Sequence, residues 1–285
     1  MIDVVKSLSE MSERSHEYNV KGLSLGLVPT MGALHKGHLS LVERSTAEND
    51  ITVVSIFVNP TQFGPSEDLD TYPRDLEGDL KRLQAIDVDI VFAPSTDELY
   101  PEGYYTSVNV EGLTDTMCGA FRPGHFKGVA TIVTKLFNII RPTKAYFGQK
   151  DYQQAIVLKT VARDLNMGVD VRICPVVREE DGLAMSSRNA YMDADERRAA
   201  PVIYRSLKAV SDRLVQKELA VKNIKTELKR LLSSEPLVRE IQYASVYDPV
   251  TLEEIQVGGK REEVLLAVAL YIGSTRLIDN ILVKV

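Results

Sequence analysis

Apolar runs alternate with helix-like patterns through the first 178 residues. The run at 51–58, rich in Val and Ile, is typical of a strand that is buried on both faces of a parallel sheet. A helix is predicted from residue 129, because its apolar residues recur every three or four positions. This alternation predicts an α/β domain with a mainly parallel sheet. Strands are expected at 23–28, 51–58, 89–93, 106–110, 144–147 and 169–177, and helices at 1–19, 69–86 and 152–165, near residue 38 and from residue 129.

The pattern changes near residue 180. Strands there follow one another without intervening helices, which is typical of an α+β domain rather than of a parallel sheet. We therefore expect two domains, residues 1–178 and a smaller α+β domain at 179–285. In the second domain, amphipathic helices are expected at 194–216 and 221–232, and strands at 242–247, 264–271 and 277–285.

The composition is that of a soluble globular protein. Of 285 residues, 44% are hydrophobic and 26% are charged, which argues against a disordered or fibrous chain. The start of the chain is unlike a leader, and the longest apolar run, 264–272, is far shorter than a membrane span of roughly 20 residues, so we expect a cytoplasmic protein. The net charge of -6 disfavours nonspecific nucleic-acid binding. Cys118 and Cys174 are expected to be reduced and structural.

The segment 28–38 joins the first predicted strand to a helix through a loop with Pro29 and Gly32. A helix that starts there directs its positive dipole end and its first N–H groups at the loop, which favours a bound phosphate. His35 and His38 can both face that phosphate, since Gly37 between them leaves room for an oxygen. The alternative is that both histidines are exposed loop residues.

Four further loops carry candidate ligand groups. One is expected at 118–128, where Arg122, His125 and Lys127 precede the helix predicted from residue 129, with exposed loop cations as the alternative. Gln62 follows the strand at 51–58, with Asn59 as an alternative cap of the turn. Lys150 and Gln154 lie at a second junction of strand, loop and helix, where a lysine can meet phosphate oxygens, although a solvated lysine is the simpler explanation. The segment 186–188, Ser-Ser-Arg, suits an anion but also suits a helix cap.

The motifs together resemble the pantothenate synthetase family, ATP-dependent ligases that join pantoate to β-alanine. The resemblance runs through both domains and ends at Arg-Leu-Ile-Asp-Asn, residues 276–280. It implies a Rossmann-like domain of the His-x-Gly-His nucleotidyltransferase type, a small C-terminal α+β lid domain and a homodimer. Five motifs carry it, Pro-Thr-Met-Gly-Ala-Leu-His-Lys-Gly-His at 29–38, Phe-Val-Asn-Pro-Thr-Gln-Phe at 57–63, Arg-Pro-Gly-His-Phe at 122–126, Phe-Gly-Gln-Lys-Asp at 147–151 and Met-Ser-Ser-Arg-Asn at 185–189.

The resemblance also implies roles for single residues. His38 is the expected proton donor and His35 its companion, with Lys150 and Arg188 as the phosphate cations. Gln62 and Gln154 are expected to bind pantoate, and Gln62 also β-alanine. ATP is expected to be bound by Met31, Gly32, Ala33, Leu34, His35, Lys36, Gly37, His38, Gly148, Gln149, Lys150, Asp151, the backbone at Val177, and Met185, Ser186, Ser187 and Arg188.

Two positions depart from the family's usual pattern. Gln149 stands where the family often has Glu, which removes a peripheral charge. Ala184 and Ser187 stand where related synthetases have a second lysine near Met185, so Lys150 and Arg188 are left as the main phosphate cations.

The expected reaction has two steps. Pantoate attacks the α-phosphorus of ATP to give pantoyl adenylate and pyrophosphate, and β-alanine then displaces AMP. Mg²⁺ is expected to accompany ATP, with ligands that the sequence does not identify. The expected partners are small molecules, with no nucleic acid and no membrane. Two alternatives are a nucleotidyltransferase for another acceptor, which would share the loop histidines, and a noncatalytic nucleotide sensor of the same fold.

Overall fold

Two structural units make up the chain in the computed structural model, which describes residues 2–65, 67–256 and 261–285. The second unit takes in two short segments that precede residue 178. The domain boundary at residue 178 stays a prediction. The first unit comprises Met1–Glu111, Arg122–Gln149 and Gln154–Pro175, and the second comprises Gly112–Phe121, Lys150–Gln153 and Val176–Val285.

A six-stranded parallel sheet forms the centre of the first unit. Its strands are β1 (Asp3–Val5), β2 (Leu25–Thr30), β3 (Ile51–Ile56), β4 (Ile90–Phe92), β5 (Lys144–Gly148) and β6 (Asp170–Cys174). They lie in the order β1-β4-β3-β2-β5-β6, and every pair is parallel. The order reverses between β2 and β5. Because ligands of such sheets bind beyond the carboxyl ends of the strands at the reversal, the loops after β2 and β5 are the natural binding loops.

The helices along this part of the chain follow the predicted apolar patterns. The longest, α6, buries the residues that recur at three- and four-residue spacing, including Val129, Leu136 and Ile140. Their side chains pack against Leu27 of β2 and other residues of the sheet in one apolar cluster. The helices are α1 (Leu8–Val20), α2 (Lys36–Glu48), α3 (Leu76–Gln84), α4 (Thr96–Leu99), α5 (Met117–Phe121), α6 (His125–Ile140) and α7 (Tyr152–Asp164).

Two predictions near the start of the chain were wrong. Residues 3–5, assigned to a surface helix, form β1 and pair with β4 at the edge of the sheet. The helix expected over 69–86 begins only at Leu76, because Pro73 disfavours helical backbone at the preceding residue. Asp75 then caps the helix, and its side chain accepts a hydrogen bond from the Gly78 N–H at 2.9 Å.

Two predictions for the middle of the chain were also wrong. Residues 106–110 form no strand, and the Val108 N–H donates to Thr131 Oγ1 at 2.9 Å instead of to a neighbouring strand. The loop expected over 118–128 contains most of α5 and the first turn of α6. Gly124 ends the intervening turn with a φ of +82°, a backbone conformation that glycine adopts without strain.

The second unit contains a three-stranded antiparallel sheet in the order β7-β8-β9, as the sequence predicts for this region. Its strands are β7 (Val238–Tyr247), β8 (Glu263–Ile272) and β9 (Thr275–Lys284). The helix expected over 194–216 is divided into α8 (Ala194–Ala199) and α9 (Val202–Val215), because Pro201 lacks the N–H that a continuous helix needs. The last helix is α10 (Ile224–Leu232), and its apolar residues join those of α9 and the sheet in one core.

Among the helices of the described residues, none combines the length and the apolar character that crossing a membrane requires.

Candidate active site

The loop after β2 is held in place by one buried carboxylate. Gly32 and Ala33 adopt positive φ values of +83° and +50°, which turn the backbone sharply. Asp79 of α3 then accepts hydrogen bonds from the Ala33 N–H at 2.9 Å and the Leu34 N–H at 2.8 Å. Burial raises the pKa of Asp79, while the two amides oppose that rise. Asp79 therefore fixes the loop that carries both histidines.

His35 and His38 form a reciprocal cap at the start of α2. The Gly37 N–H donates to Nδ1 of His35 at 3.1 Å, and the His35 N–H donates to Nδ1 of His38 at 3.3 Å. The ring centroids are 4.0 Å apart. An Nδ1 that accepts a hydrogen bond carries no proton, so each neutral ring has its proton on Nε2. Both rings are thus set as Nε2–H donors, the form that stabilises a phosphate oxygen.

The amides at the start of α2 are largely satisfied within the loop. Besides the Gly37 N–H, the N–H groups of His38 and Leu39 donate to the His35 carbonyl at 2.8 and 3.0 Å. The N–H groups of Gly37, His38 and Leu39 thus all have acceptors on His35. Binding of a phosphate at this helix start stays a prediction.

Gln62 lies against the loop that carries the two histidines. Its Nε2 donates to Sδ of Met31 at 3.0 Å, and its Oε1 accepts from Nδ2 of Asn59 at 3.1 Å. Asn59 also accepts from the Thr61 N–H, so the predicted turn cap is confirmed. Asn59 is only 1% exposed and donates to the Gly128 carbonyl at 3.2 Å as well. The same asparagine thus caps the turn and orients Gln62.

The backbone of Gln62 is held by a chain of charged groups. Nδ1 of His125 donates to the Gln62 carbonyl at 2.9 Å, which leaves Nε2 of the neutral ring to accept from Nη1 of Arg122 at 3.0 Å. Arg122 in turn makes a bidentate ion pair with Glu67, at 2.7 and 2.6 Å. Burial would raise the pKa of Glu67, but the Arg122 guanidinium brings it below its usual range. Exposed loop cations were one alternative for this cluster, and the structure shows paired ones.

A close contact between α6 and the Gln62 turn depends on Gly128. A methyl group at this position would lie 2.4 Å from the Thr61 carbonyl oxygen and 2.6 Å from Cα of Gln62. Backbone atoms cannot yield as a flexible side chain can, so only glycine allows this packing. Gly128, two residues beyond the motif at 122–126, therefore allows the turn with Gln62 to lie close to α6.

In the second unit, a hairpin brings together two segments that the sequence assigns to ATP. The Met185 N–H donates to the Val177 carbonyl at 3.0 Å, and the Glu179 N–H donates to the Leu183 carbonyl at 2.8 Å. Met185 is followed by a 3₁₀ turn, Ser187–Tyr191, in which Ser186 accepts from the Arg188 N–H at 3.3 Å. The alternative that Ser186 is a cap is thus confirmed, for this turn rather than for the helix that begins after Asp193.

Lys150 lies in a 3₁₀ turn, Gln149–Asp151, between β5 and α7. Its side chain is 21% exposed, with Nζ 3.5 Å from Oδ2 of Asp151. Gln154 is the third residue of α7 and is half-buried. The preceding Gln153 is buried, and its amide makes three hydrogen bonds to backbone groups of residues 113–118. These bonds give Gln153 a structural role, while the role of Gln154 toward a ligand stays a prediction.

Sequence reasoning missed the residues that support the site. Asp79 stood in a predicted helix among other charged residues, with no feature to separate it from a solvated carboxylate. Asn59 was considered as a ligand group or a turn cap, without its contact to Gln62. Asp279 and Asn280, which contact Arg178 and the Lys150 segment, were noted only as part of a motif. The signal that could have found them is the presence of polar residues within strongly apolar strands, as at Asp279.

The six-stranded parallel sheet with its helices defines a Rossmann-like α/β fold, and its loop after β2 carries two imidazole rings held through Nδ1. The family model described as pantoate-beta-alanine ligase matches residues 3–282. The chain therefore belongs to the pantoate-beta-alanine ligase family.

Close relatives support this membership over the full length. The chain is 54% identical to a pantothenate synthetase of Thermodesulfovibrio yellowstonii, over 99% of this chain and 100% of that one. A pantothenate synthetase crystal structure from Thermus thermophilus is similar with a TM-score of 0.90 and 44% identity, covering 98% and 99% of the two chains. A Francisella tularensis pantoate-beta-alanine ligase, crystallised in complex with beta-gamma ATP and beta-alanine, has a TM-score of 0.81 and 33% identity, covering 99% and 98%.

Proposed function

We propose that this chain is an ATP-dependent ligase that condenses pantoate with β-alanine to pantothenate, releasing AMP and pyrophosphate. The observation that carries the proposal is the contact between Gln62 and Met31 at 3.0 Å, which brings the Gln62 amide to the loop with two Nε2–H imidazoles. We propose that this amide binds substrate. Family membership supports the choice of substrates.

The first step joins pantoate to AMP. A carboxylate is too poor an electrophile to take an amine, so a pantoate oxygen attacks the α-phosphorus of ATP, and the bond to pyrophosphate breaks. Negative charge develops on the phosphate oxygens, and the groups proposed to stabilise it are His35, His38, Lys150 and Arg188. No strong general base is needed, because a carboxylic acid such as pantoate is ionised at neutral pH.

The second step forms the amide. The unprotonated amine of β-alanine attacks the acyl carbon of pantoyl adenylate, AMP departs with the electron pair of the acyl–oxygen bond, and the amine loses its second proton. Adenylates are readily hydrolysed, so water must be excluded while the amine enters. We propose that the α+β domain at 179–285 acts as the lid that excludes it.

Analysis of products tests this assignment. ATP, pantoate and β-alanine incubated with the purified protein and Mg²⁺ should give pantothenate, AMP and pyrophosphate in equal amounts, measured by chromatography with mass detection. The expected amounts follow from the two steps, since each turnover releases one of each product. Omission of β-alanine should abolish pantothenate. ADP and phosphate in place of AMP and pyrophosphate would contradict attack at the α-phosphorus.

Recognition of pantoate is assigned to Gln62 and Gln154. Gln62→Ala and Gln154→Ala are each expected to weaken pantoate by about 1 to 3 kcal/mol, because a hydroxyl or carboxylate of the substrate is left without its amide partner. The affinity for ATP should change little. Steady-state titration of each substrate measures both effects, with Gln84→Ala, at the end of α3, as the matched control. ATP weakened as strongly as pantoate would show that the glutamines bind a different ligand.

Mg²⁺ is proposed to arrive with ATP rather than to occupy a protein cage. Among the described residues, no group of three or more His, Cys, Asp or Glu side chains could hold a metal ion. Mg²⁺ commonly keeps several waters and binds through substrate phosphates, so its binding needs no such cluster of protein side chains. When bound there, the ion would neutralise phosphate charge.

We also propose that the protein is a homodimer and is cytoplasmic, both of which the resemblance to the family implies. Molecular mass in solution measures the first, and cell fractionation the second; a monomer or a membrane-bound fraction would contradict them.

A further inference from the structure

We propose that Asp279 and Asn280, neighbours on β9, are positioning residues that hold the two cation-bearing segments of the ATP site, the hairpin leading to Arg188 and the turn with Lys150. This inference rests on the proposed assignment of those segments to ATP. It gives a role to the motif at 276–280, which the two-step reaction leaves unexplained.

Asp279 anchors the hairpin through Arg178. Its carboxylate accepts both Nη1 and Nη2 of Arg178, at 2.6 and 3.0 Å, and is only 3% exposed. Arg178 also donates to the Gly182 carbonyl at 3.1 Å, and its guanidinium carbon lies 3.9 Å from the centre of the Tyr204 ring. Arg178 belongs to the hairpin between Val177 and Met185, so the groups that hold its guanidinium also hold the hairpin. The planar fork of arginine makes this arrangement more rigid than a single charge pair would be.

The turn that carries Arg188 contacts β9, the strand that contains Asp279. Residues of the 3₁₀ turn Ser187–Tyr191 pack directly against β9. Asn189 in this turn donates to Oε1 of Glu179 at 2.9 Å and to the Ala184 carbonyl at 3.1 Å, which ties the turn back to the hairpin. The hairpin, the turn and β9 thus form one connected set of contacts, with Asp279 at its buried end.

Asn280 holds the other segment. Its Nδ2 donates to the Lys150 carbonyl at 3.0 Å, and the residue is 3% exposed. Because successive side chains of a strand point to opposite faces, two adjacent residues can reach two different segments. Asn280 lies opposite Ala267 of β8 in the strand register, and its backbone N–H donates to Oδ1 of Asp279 at 2.8 Å. We therefore assign the buried amide of Asn280 to holding the Lys150 carbonyl in place.

Double variants test whether these residues act through the two cations. Asn280→Ala is expected to lower pantoate-dependent exchange of pyrophosphate into ATP by roughly 10- to 100-fold, as a small misplacement of a reacting group does. The KM for pantoate should stay unchanged. In a Lys150→Ala background the same substitution should have almost no further effect, because the side chain that it positions is gone. Asp279→Asn should behave in the same way with Arg188→Ala.

A matched control separates positioning from general damage. Ser245→Ala removes a buried hydroxyl of β7 that donates to Glu254 at 2.6 Å, a contact that involves neither segment. Ser245→Ala should leave the exchange rate near normal, with a thermal stability similar to that of the Asp279 and Asn280 variants. Should Asp279→Asn not be recovered folded, Arg178→Lys replaces it, because lysine keeps the charge and removes the bidentate pair. Its effect is then compared with and without Arg188→Ala.

The outcomes are distinct. Effects of Asn280→Ala that multiply fully with those of Lys150→Ala, or that match the Ser245→Ala control, would overturn the positioning role. Normal exchange in Lys150→Ala and Arg188→Ala themselves would overturn the assignment of the ATP site, and the positioning role with it. Impaired exchange in these two variants but not in the β9 variants would refute the positioning role alone.

Discussion

His38→Ala and Lys150→Ala are each expected to lower the rate of adenylate formation by roughly two or more orders of magnitude. Each substitution removes a group proposed to stabilise charge on the phosphate oxygens, and loss of one such donor commonly costs this much. For His38 the effect depends on its Nε2–H, since Nδ1 is held by the His35 N–H at 3.3 Å. Rapid quenching of a single turnover with ATP and pantoate measures the rate.

Folding should be nearly unaffected in both variants. His38→Ala loses one side-chain contact of the α2 cap, worth about 1 kcal/mol, while Gly37 keeps its bond to His35. His16→Ala and Lys159→Ala are matched controls, because both residues are exposed and lie on helices of the first unit. A purified His38 or Lys150 variant with near-normal single-turnover rate would remove that residue from the catalytic assignment.

The sheet could be predicted from the sequence wherever a strand is apolar along its length. β3 and β5 sit within one or two residues of the predicted runs, because both are buried between neighbouring strands. β1 could not, since a three-residue strand at the edge of the sheet has little apolar pattern and gains its stability from pairing with β4. Residues 106–110 have the composition of a strand but no neighbour in the sheet to pair with.

For the candidate site, the sequence indicated which residue types matter and which loops carry them. The structure adds the hydrogen bonds that these residues make with one another. His35 and His38 could be selected from the loop motif, but the proton positions depend on which nitrogen accepts from the backbone. Asp79 is distant in sequence from the loop that it holds. Long-range pairs of this kind leave no local pattern, so Asp79 could not be told from an ordinary surface acid. Asp279 differs, because a carboxylate within an apolar strand is itself a signal.

The order of the two steps is expected to appear as an all-or-none difference in isotope exchange. Labelled pyrophosphate should enter ATP when pantoate and Mg²⁺ are present and β-alanine is absent. Attack at the α-phosphorus needs only pantoate and the groups around the phosphates, whereas the target of the amine is the acyl carbon. Reversible formation of a bound adenylate therefore requires no amine.

The same exchange separates this ligase from its alternatives. A nucleotidyltransferase for another acceptor would show exchange only with that acceptor, and a nucleotide sensor would show none. Reactions without pantoate, and with the His38→Ala variant, should both stay near background, which ties the signal to the proposed chemistry rather than to contaminating enzymes. The two-step order would be refuted if exchange stayed at background with saturating pantoate and rose only on addition of β-alanine. Such a result would mean that the amine must be bound before the bond to pyrophosphate can break. The assignment as a ligase would still stand.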